Sequence, residues 1–121
     1  MGVTYVDVTV RPFGRTNGSG YRGEFLVDTG SIDCVVPASQ LVRVGIEPVD
    51  TQVYELADGA EQEFRVGGAE IEVLGVRTYG RVIFGPEGTE PILGVTIMEQ
   101  AGMIIDPATN SVTRRRAIPL K

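Results

Sequence analysis

The chain has 121 residues, 42% of them hydrophobic and 22% charged, and a formal net charge of −5. That balance fits a single soluble globular domain spanning residues 1–121 and argues against disorder, while the negative charge weighs against nucleic acid as a partner, because phosphate binding needs a cationic face. With no histidine and one cysteine, Cys34, the chain cannot by itself build a Ser-His-Asp or Cys-His site, a disulfide, or a zinc site based on histidine or several thiolates. Its chemistry must rest on carboxylates, hydroxyls, Lys, Arg or that one thiol.

The opening "MGVTYVDV" lacks the basic and apolar regions of a signal peptide, and Val6 stands where a myristoylation signal needs Ser or Thr. No apolar run approaches the length of a membrane span, so no membrane partner is expected and the expected location is cytoplasmic. Val3–Val10 alternates with period two, placing Val6, Val8 and Val10 on one face and Asp7 and Thr9 on the other, and is predicted as a strand. Asn17-Gly18 follows as a tight-turn signal, which is also the better reading of the formal sequon at Asn17. Tyr21–Val27 returns as a second strand that runs into Asp28. The short apolar "CVV" (Cys34–Val36) is predicted to be buried on both faces, with Pro37 and "ASQL" ending it in a single helical turn.

Thr51–Val66 reads as a hairpin about a two-residue Asp58-Gly59 turn. "AEIEVLGV" alternates next, with Ile71 and Val73 opposite Glu70 and Glu72, and "TYGRVIFG" is a further strand. Gly85–Pro91 is loop by composition. Val95–Gly102 is the one helix candidate, with Thr96 as its cap, Glu99 in capping-box position and Gly102 as its stop. "MIID", the turn "PATN" and "SVTRRRAI" form a last hairpin. The fold class is all-β, mostly antiparallel, with one short helix.

Asp28 in "FLVDTGSIDCVVP" is, taken alone, an Asx turn at a strand end. Asp33, Asp50 and Asp106 read as turn or capping residues. Cys34 reads as a small buried hydrophobe, since no basic residue adjoins it to make a reactive thiolate. Arg114–Arg116 reads as a solvated hairpin arm rather than a nucleic-acid patch.

Two motifs together change the reading of Asp28. "FLVDTGS" resembles the Asp-Thr-Gly-Ser/Ala signature of aspartic proteases, and "PILGVTIMEQAGMIID" resembles their second signature, two apolar residues and a Gly (Ile92-Leu93-Gly94) before a short helix. A hairpin with a glycine tip lies between them, and the resemblance runs from about Tyr5 to Asp106. A single Asp-Thr-Gly in a chain this short is similar to the retroviral type, the retropepsins and their cellular and prokaryotic relatives. "VIFGPEGTEPILG" resembles the stretch before the helix in the viral enzymes, and "YELADG" with "GMIIDP" looks like a bacterial and archaeal group. The chain departs from the viral pattern in its Ser after Asp-Thr-Gly, its less Gly-rich flap and its longer tail.

That resemblance implies a closed antiparallel β-barrel with a flap hairpin and one short C-terminal helix. It implies an aspartic endopeptidase without metal or cofactor, acting on an extended peptide or protein. One chain supplies one carboxylate, so the active form would be a homodimer with Asp28 of each subunit at the twofold axis. Catalytic roles fall to Asp28, to Thr29, whose hydroxyl would bond across the axis, and to Gly30, which permits close backbone approach. Ser31 would donate to the outer oxygen of Asp28. Ile32, Asp33, Val35, Leu56 and Ile92 could line substrate pockets, with Asp33 favouring a cationic or polar group. Asp58 and Gly59 would form the flap tip over bound peptide. The alternative on the same fold is a non-catalytic dimerisation or peptide-binding module.

Overall fold

The computed structural model describes residues 3–14 and 20–120. Period-two alternation becomes pleated strand, as expected: β1 (Tyr5–Arg11) turns Val8 and Val10 inward and pairs antiparallel with β2 (Tyr21–Val27). The Asn17-Gly18 turn lies outside the described residues. β3 (Cys34–Pro37) runs into helix α1 (Ala38–Arg43), a little longer than the single turn expected. β3 buries Cys34 and Val36 fully, while Val35 on its other face is only partly covered, so one face of "CVV" is buried rather than both. β4 (Asp50–Glu55) and β5 (Glu61–Val73) form the long hairpin. β6 (Val76–Gly85), the two-residue β7 (Ile92–Leu93), α2 (Val95–Ala101), β8 (Met103–Asp106) and β9 (Ser111–Arg114) complete the order.

Six strands close a ring, β1-β2-β7-β3-β6-β5 and back to β1, with β4 attached outside it along β5. The β2–β7 and β3–β6 pairings are parallel, so the barrel is mostly rather than wholly antiparallel. Inside it Phe25, Val36, Ile71, Val82 and Leu93 are essentially inaccessible, and Leu41 of α1 and Ile97 of α2 join the same core. Side chains therefore fill the barrel, as its small size requires. β8 and β9 form a separate two-stranded sheet, the hairpin expected from "MIID-PATN-SVT".

Three local expectations need correction. The stretches ending at Val66 and starting at Ala69 are one 13-residue strand, β5, because β4 pairs with its first half, β1 with its second and β6 with most of its length. It turns into β6 through Leu74-Gly75, both with positive φ (53° and 74°), a mirror-image two-residue turn that Leu-Gly does not advertise. The Asp58-Gly59 signal belongs to a longer turn: the Leu56 carbonyl accepts from Gly59 N–H, and Leu56 N–H donates to Ala60, which leaves a three-residue loop closed by left-handed Gly59. Thr96 is not the cap of α2; Gly94 holds that place with no side-chain cap, while Gly102 ends the helix in the left-handed conformation as expected.

Glu70, expected on the polar face, is only 2% exposed. Neighbours on both sides of β5 cover it. Arg11 sits directly opposite on β1 and reaches the Glu70 carboxylate at 3.2 Å and the Glu72 carboxylate at 2.7 Å, and Arg77 of β6 approaches Glu70 at 3.8 Å. Removing a partner from a buried pair costs most when the remaining charge has nowhere to turn. Arg11→Met leaves Glu70 buried with only the distant Arg77 and is expected to lower unfolding free energy by about 3 kcal/mol. Glu70→Gln leaves Arg11 its Glu72 partner and is expected to cost about 1 kcal/mol. Urea unfolding of the two variants checks the order of these effects.

Candidate active site

β2 delivers Asp28 to the end of the barrel. Leu26 and Val27 lie beside Ile92 and Leu93 in parallel register, and Asp28 N–H still donates to the Leu93 carbonyl at 3.2 Å before the chain leaves the sheet. The Asp28 carbonyl accepts from Ser31 N–H at 3.1 Å, and its side-chain Oδ1 accepts from Gly30 N–H at 2.9 Å. This is the local Asx-type turn that the tripeptide alone suggests, and it also fixes the direction of the carboxylate. A Cβ on Gly30 would stand 3.3 Å from Asp28 Oδ1, so glycine keeps that approach close without crowding. Asp28 is half-buried and Thr29 and Gly30 are exposed, which leaves the carboxylate open to water.

The loop is held from behind by α2. Val95 N–H donates to the Ser31 carbonyl at 2.7 Å and Thr96 N–H to the Ile32 carbonyl at 3.2 Å. These are two of the first-turn donors that a helix cannot satisfy internally. Gly94 lies between loop and helix, where a Cβ would meet the Ile32 oxygen and the Asp33 carbonyl at 2.6 Å. Gly94 N–H donates to Cys34 Sγ at 3.4 Å, and burial pushes the Cys34 thiol up to about 11. Cys34 is thus a protonated packing residue behind the loop.

Asp28, Thr29, Gly30, Ser31 and Ile32 therefore come together on one loop, with Ile32 63% exposed. Val35 and Ile92 face each other across the β3–β7 pair at its base. The Asp28 carboxylate receives its hydrogen bond from Gly30 N–H, and Ser31 contributes its backbone N–H to the Asp28 carbonyl. Asp33 is turned towards the protein: its Oδ2 accepts from Tyr54 Oη at 2.7 Å and lies 4.0 Å from Arg81 Nη1. Leu56, Asp58 and Gly59 sit at the exposed tip of the β4–β5 hairpin, where Asp58 Oδ1 accepts from Ala60 N–H. Tyr54 and Arg81 were not singled out from sequence. A lone aromatic in β4 was the available signal for Tyr54; Arg81, distant in sequence, gave none.

Thr29 borders a cleft of about 490 Å³ shared with Val95 and Met98 of α2, Met103 and Ile105 of β8, and Ile118. Among the described residues no group of His, Cys, Asp or Glu is placed to hold a metal ion, and no helix is long and apolar enough to cross a membrane.

No family model and no curated protein matches the chain in sequence. Solved structures do. The retroviral protease-like domain of Ddi1 from Leishmania major aligns with TM-score 0.61 at 16% identity, covering 97% of this chain and 91% of that one. Simian foamy virus (mac) protease aligns with TM-score 0.56 at 17% identity, covering 78% and 91%. EIAV protease, solved in complex with an inhibitor, aligns with TM-score 0.57 at 18% identity, covering 84% and 89%. The chain has the retropepsin fold. At these identities the likeness speaks for the retropepsin architecture alone.

The packing around Gly94 is the tightest glycine contact in this part of the retropepsin fold. Gly94→Ala forces the Cβ into backbone that cannot yield without moving the Asp28–Asp33 loop. It is expected to lower unfolding free energy by about 1–3 kcal/mol in urea titration, whereas a stability equal to the parent chain would show that the loop is not held there.

Proposed function

We propose that the chain is an aspartic endopeptidase whose active site is completed by a second copy of itself. The observation that carries this reading is the Asp28-Thr29-Gly30 loop, with its carboxylate oriented by Gly30 N–H, open to water, and braced by backbone bonds to α2. A structural Asx turn needs no such brace from a distant helix. The retropepsin architecture supports the reading at the level of fold.

Peptide hydrolysis by this route needs two carboxylates sharing one proton. Like charges a hydrogen bond apart do not both ionise easily, so one stays protonated while the other is ionised. The ionised Asp28 takes a proton from water as the water oxygen bonds to the scissile carbonyl carbon. The protonated Asp28 of the partner donates to the carbonyl oxygen. Collapse of the tetrahedral intermediate breaks the C–N bond, and the proton gained from water passes to the leaving amine. Each chain holds one Asp-Thr-Gly, so the pair forms on a twofold axis with Thr29 beside it. The β4–β5 hairpin, with Asp58 and Gly59 at its tip, serves as the flap that covers extended peptide and excludes water. Ile32, Val35, Leu56 and Ile92 offer apolar walls to side chains flanking the scissile bond.

Asp28→Asn keeps the Gly30 hydrogen bond through an amide oxygen and loses the acid–base chemistry. Cleavage of a denatured-protein substrate mixture, read by mass spectrometry of new termini, is expected to fall by about 10³-fold or more with folding unchanged. Undiminished cleavage would remove Asp28 from the chemistry. Absence of cleavage in the parent chain, with retained binding of extended peptides, would favour the non-catalytic module. Specific activity of the parent chain is expected to fall on dilution below its dimer dissociation constant.

A further inference from the structure

The polar cluster around Asp33 is built from three separate segments. Asp33 follows the catalytic loop, Tyr54 and Gln52 belong to the flap strand β4, and Arg81 belongs to β6. Tyr54 Oη donates to Asp33 Oδ2 at 2.7 Å, Arg81 Nη1 stands 4.0 Å from the same oxygen, and Arg81 Nη1 also donates to Gln52 Oε1 at 3.3 Å. Gln52 and Tyr54 are two residues apart, so they share one face of the strand. Every other residue of β4 is exposed, and Tyr54 is the one that is partly covered, its ring tilted against Phe64 of β5 at 6.1 Å. Among the described residues, the side-chain hydrogen bonds that β4 makes to segments other than β5 all belong to this cluster.

We propose that Tyr54, Asp33 and Arg81 form a latch that holds the flap strand on the catalytic loop, which makes Asp33 and Tyr54 positioning residues for flap closure. The position of the flap matters for turnover only if the chain is the peptidase proposed above, so that part of the inference rests on that reading. The latch is a statement about structure and stands or falls separately. Three features support it. The Asp33 side chain is 12% exposed and already committed to a short charge-assisted hydrogen bond, so it is poorly placed to receive a substrate cation. Burial, and then the Asp33 carboxylate, push the Tyr54 phenol pKa up, which keeps it protonated and a donor. Arg81 stands between the two sides, 4.0 Å from the carboxylate of the loop segment and hydrogen-bonded to the Gln52 amide oxygen of β4, so one guanidinium faces both.

Tyr54→Phe keeps the ring against Phe64 and removes only the donor. Hydrogen exchange of the β4 amides, followed by NMR in the 121-residue chain, is expected to accelerate about tenfold in Tyr54→Phe and in Asp33→Ala, with the double variant no faster than either single one. Asp33→Asn, which keeps an oxygen acceptor, is expected to restore much of the lost protection. In peptide cleavage, Tyr54→Phe is expected to raise KM about tenfold with a smaller change in kcat. Unchanged exchange in Tyr54→Phe, or single effects that simply add, would overturn the latch. So would an Asp33→Ala variant that retains slow exchange and loses only cleavage beside Lys or Arg, because Asp33 would then be reading substrate. If the parent chain cleaves nothing, the exchange result still decides the latch, and only the peptidase reading fails.

Discussion

The site depends on a short run of backbone packed against backbone. The carbonyls of Ser31 and Ile32 fill the hydrogen-bonding positions that the first turn of α2 would otherwise leave to water, and Gly94 lets the two segments meet without a side chain between them. Neither partner is stable in this position alone. A seven-residue helix has little independent stability, and a loop leaving the sheet at Asp28 has no ladder to hold it. Joined, each satisfies polar groups of the other. The two-residue strand β7 fixes where this happens, because it runs parallel to β2 and antiparallel to β3 and so lies between the entry and the exit of the loop. The barrel closes through the same strand, which links closure of the fold to the direction of the Asp28 carboxylate.

The loop and its continuation carry two carboxylates, and their surroundings give them different work. Asp28 has a backbone donor on one oxygen and faces solvent, a setting from which a second, symmetry-related carboxylate can share a proton. Asp33 is taken up by Tyr54 and Arg81. A peptide entering between loop and flap would meet an ion pair there rather than a free negative charge. Under the proposed function, recognition beside Asp33 would fall to the apolar Ile32, Val35 and Ile92, and to the half-exposed guanidinium of Arg81.

Much of this was legible in the sequence. Period-two alternation marked β1 and the second half of β5, and the Asp-Thr-Gly and Ile92-Leu93-Gly94 motifs marked the loop and its brace. What escaped depends on tertiary context. Glu70 obeys the alternation that sends it outward, yet strands on both sides and two arginines bury it. Leu74-Gly75 turns the chain without a turn signature because the strands on either side dictate the geometry. The cap of α2 comes from the carbonyls of a remote loop, which no local capping pattern can encode. The contact between Tyr54 and Asp33 joins residues far apart in sequence through a hydroxyl, and only the closed barrel brings them together.

The central claim is that one chain provides half of the catalytic pair. Subunit mixing tests it most directly: parent chain at fixed concentration is titrated with Asp28→Asn chain and peptide cleavage is followed. If the two carboxylates come from different copies, mixed dimers hold one Asp28 and activity falls towards zero as the variant comes into excess. Activity that stays constant, with mixed dimers shown to form, would mean that a single chain carries a complete site, and would contradict the account.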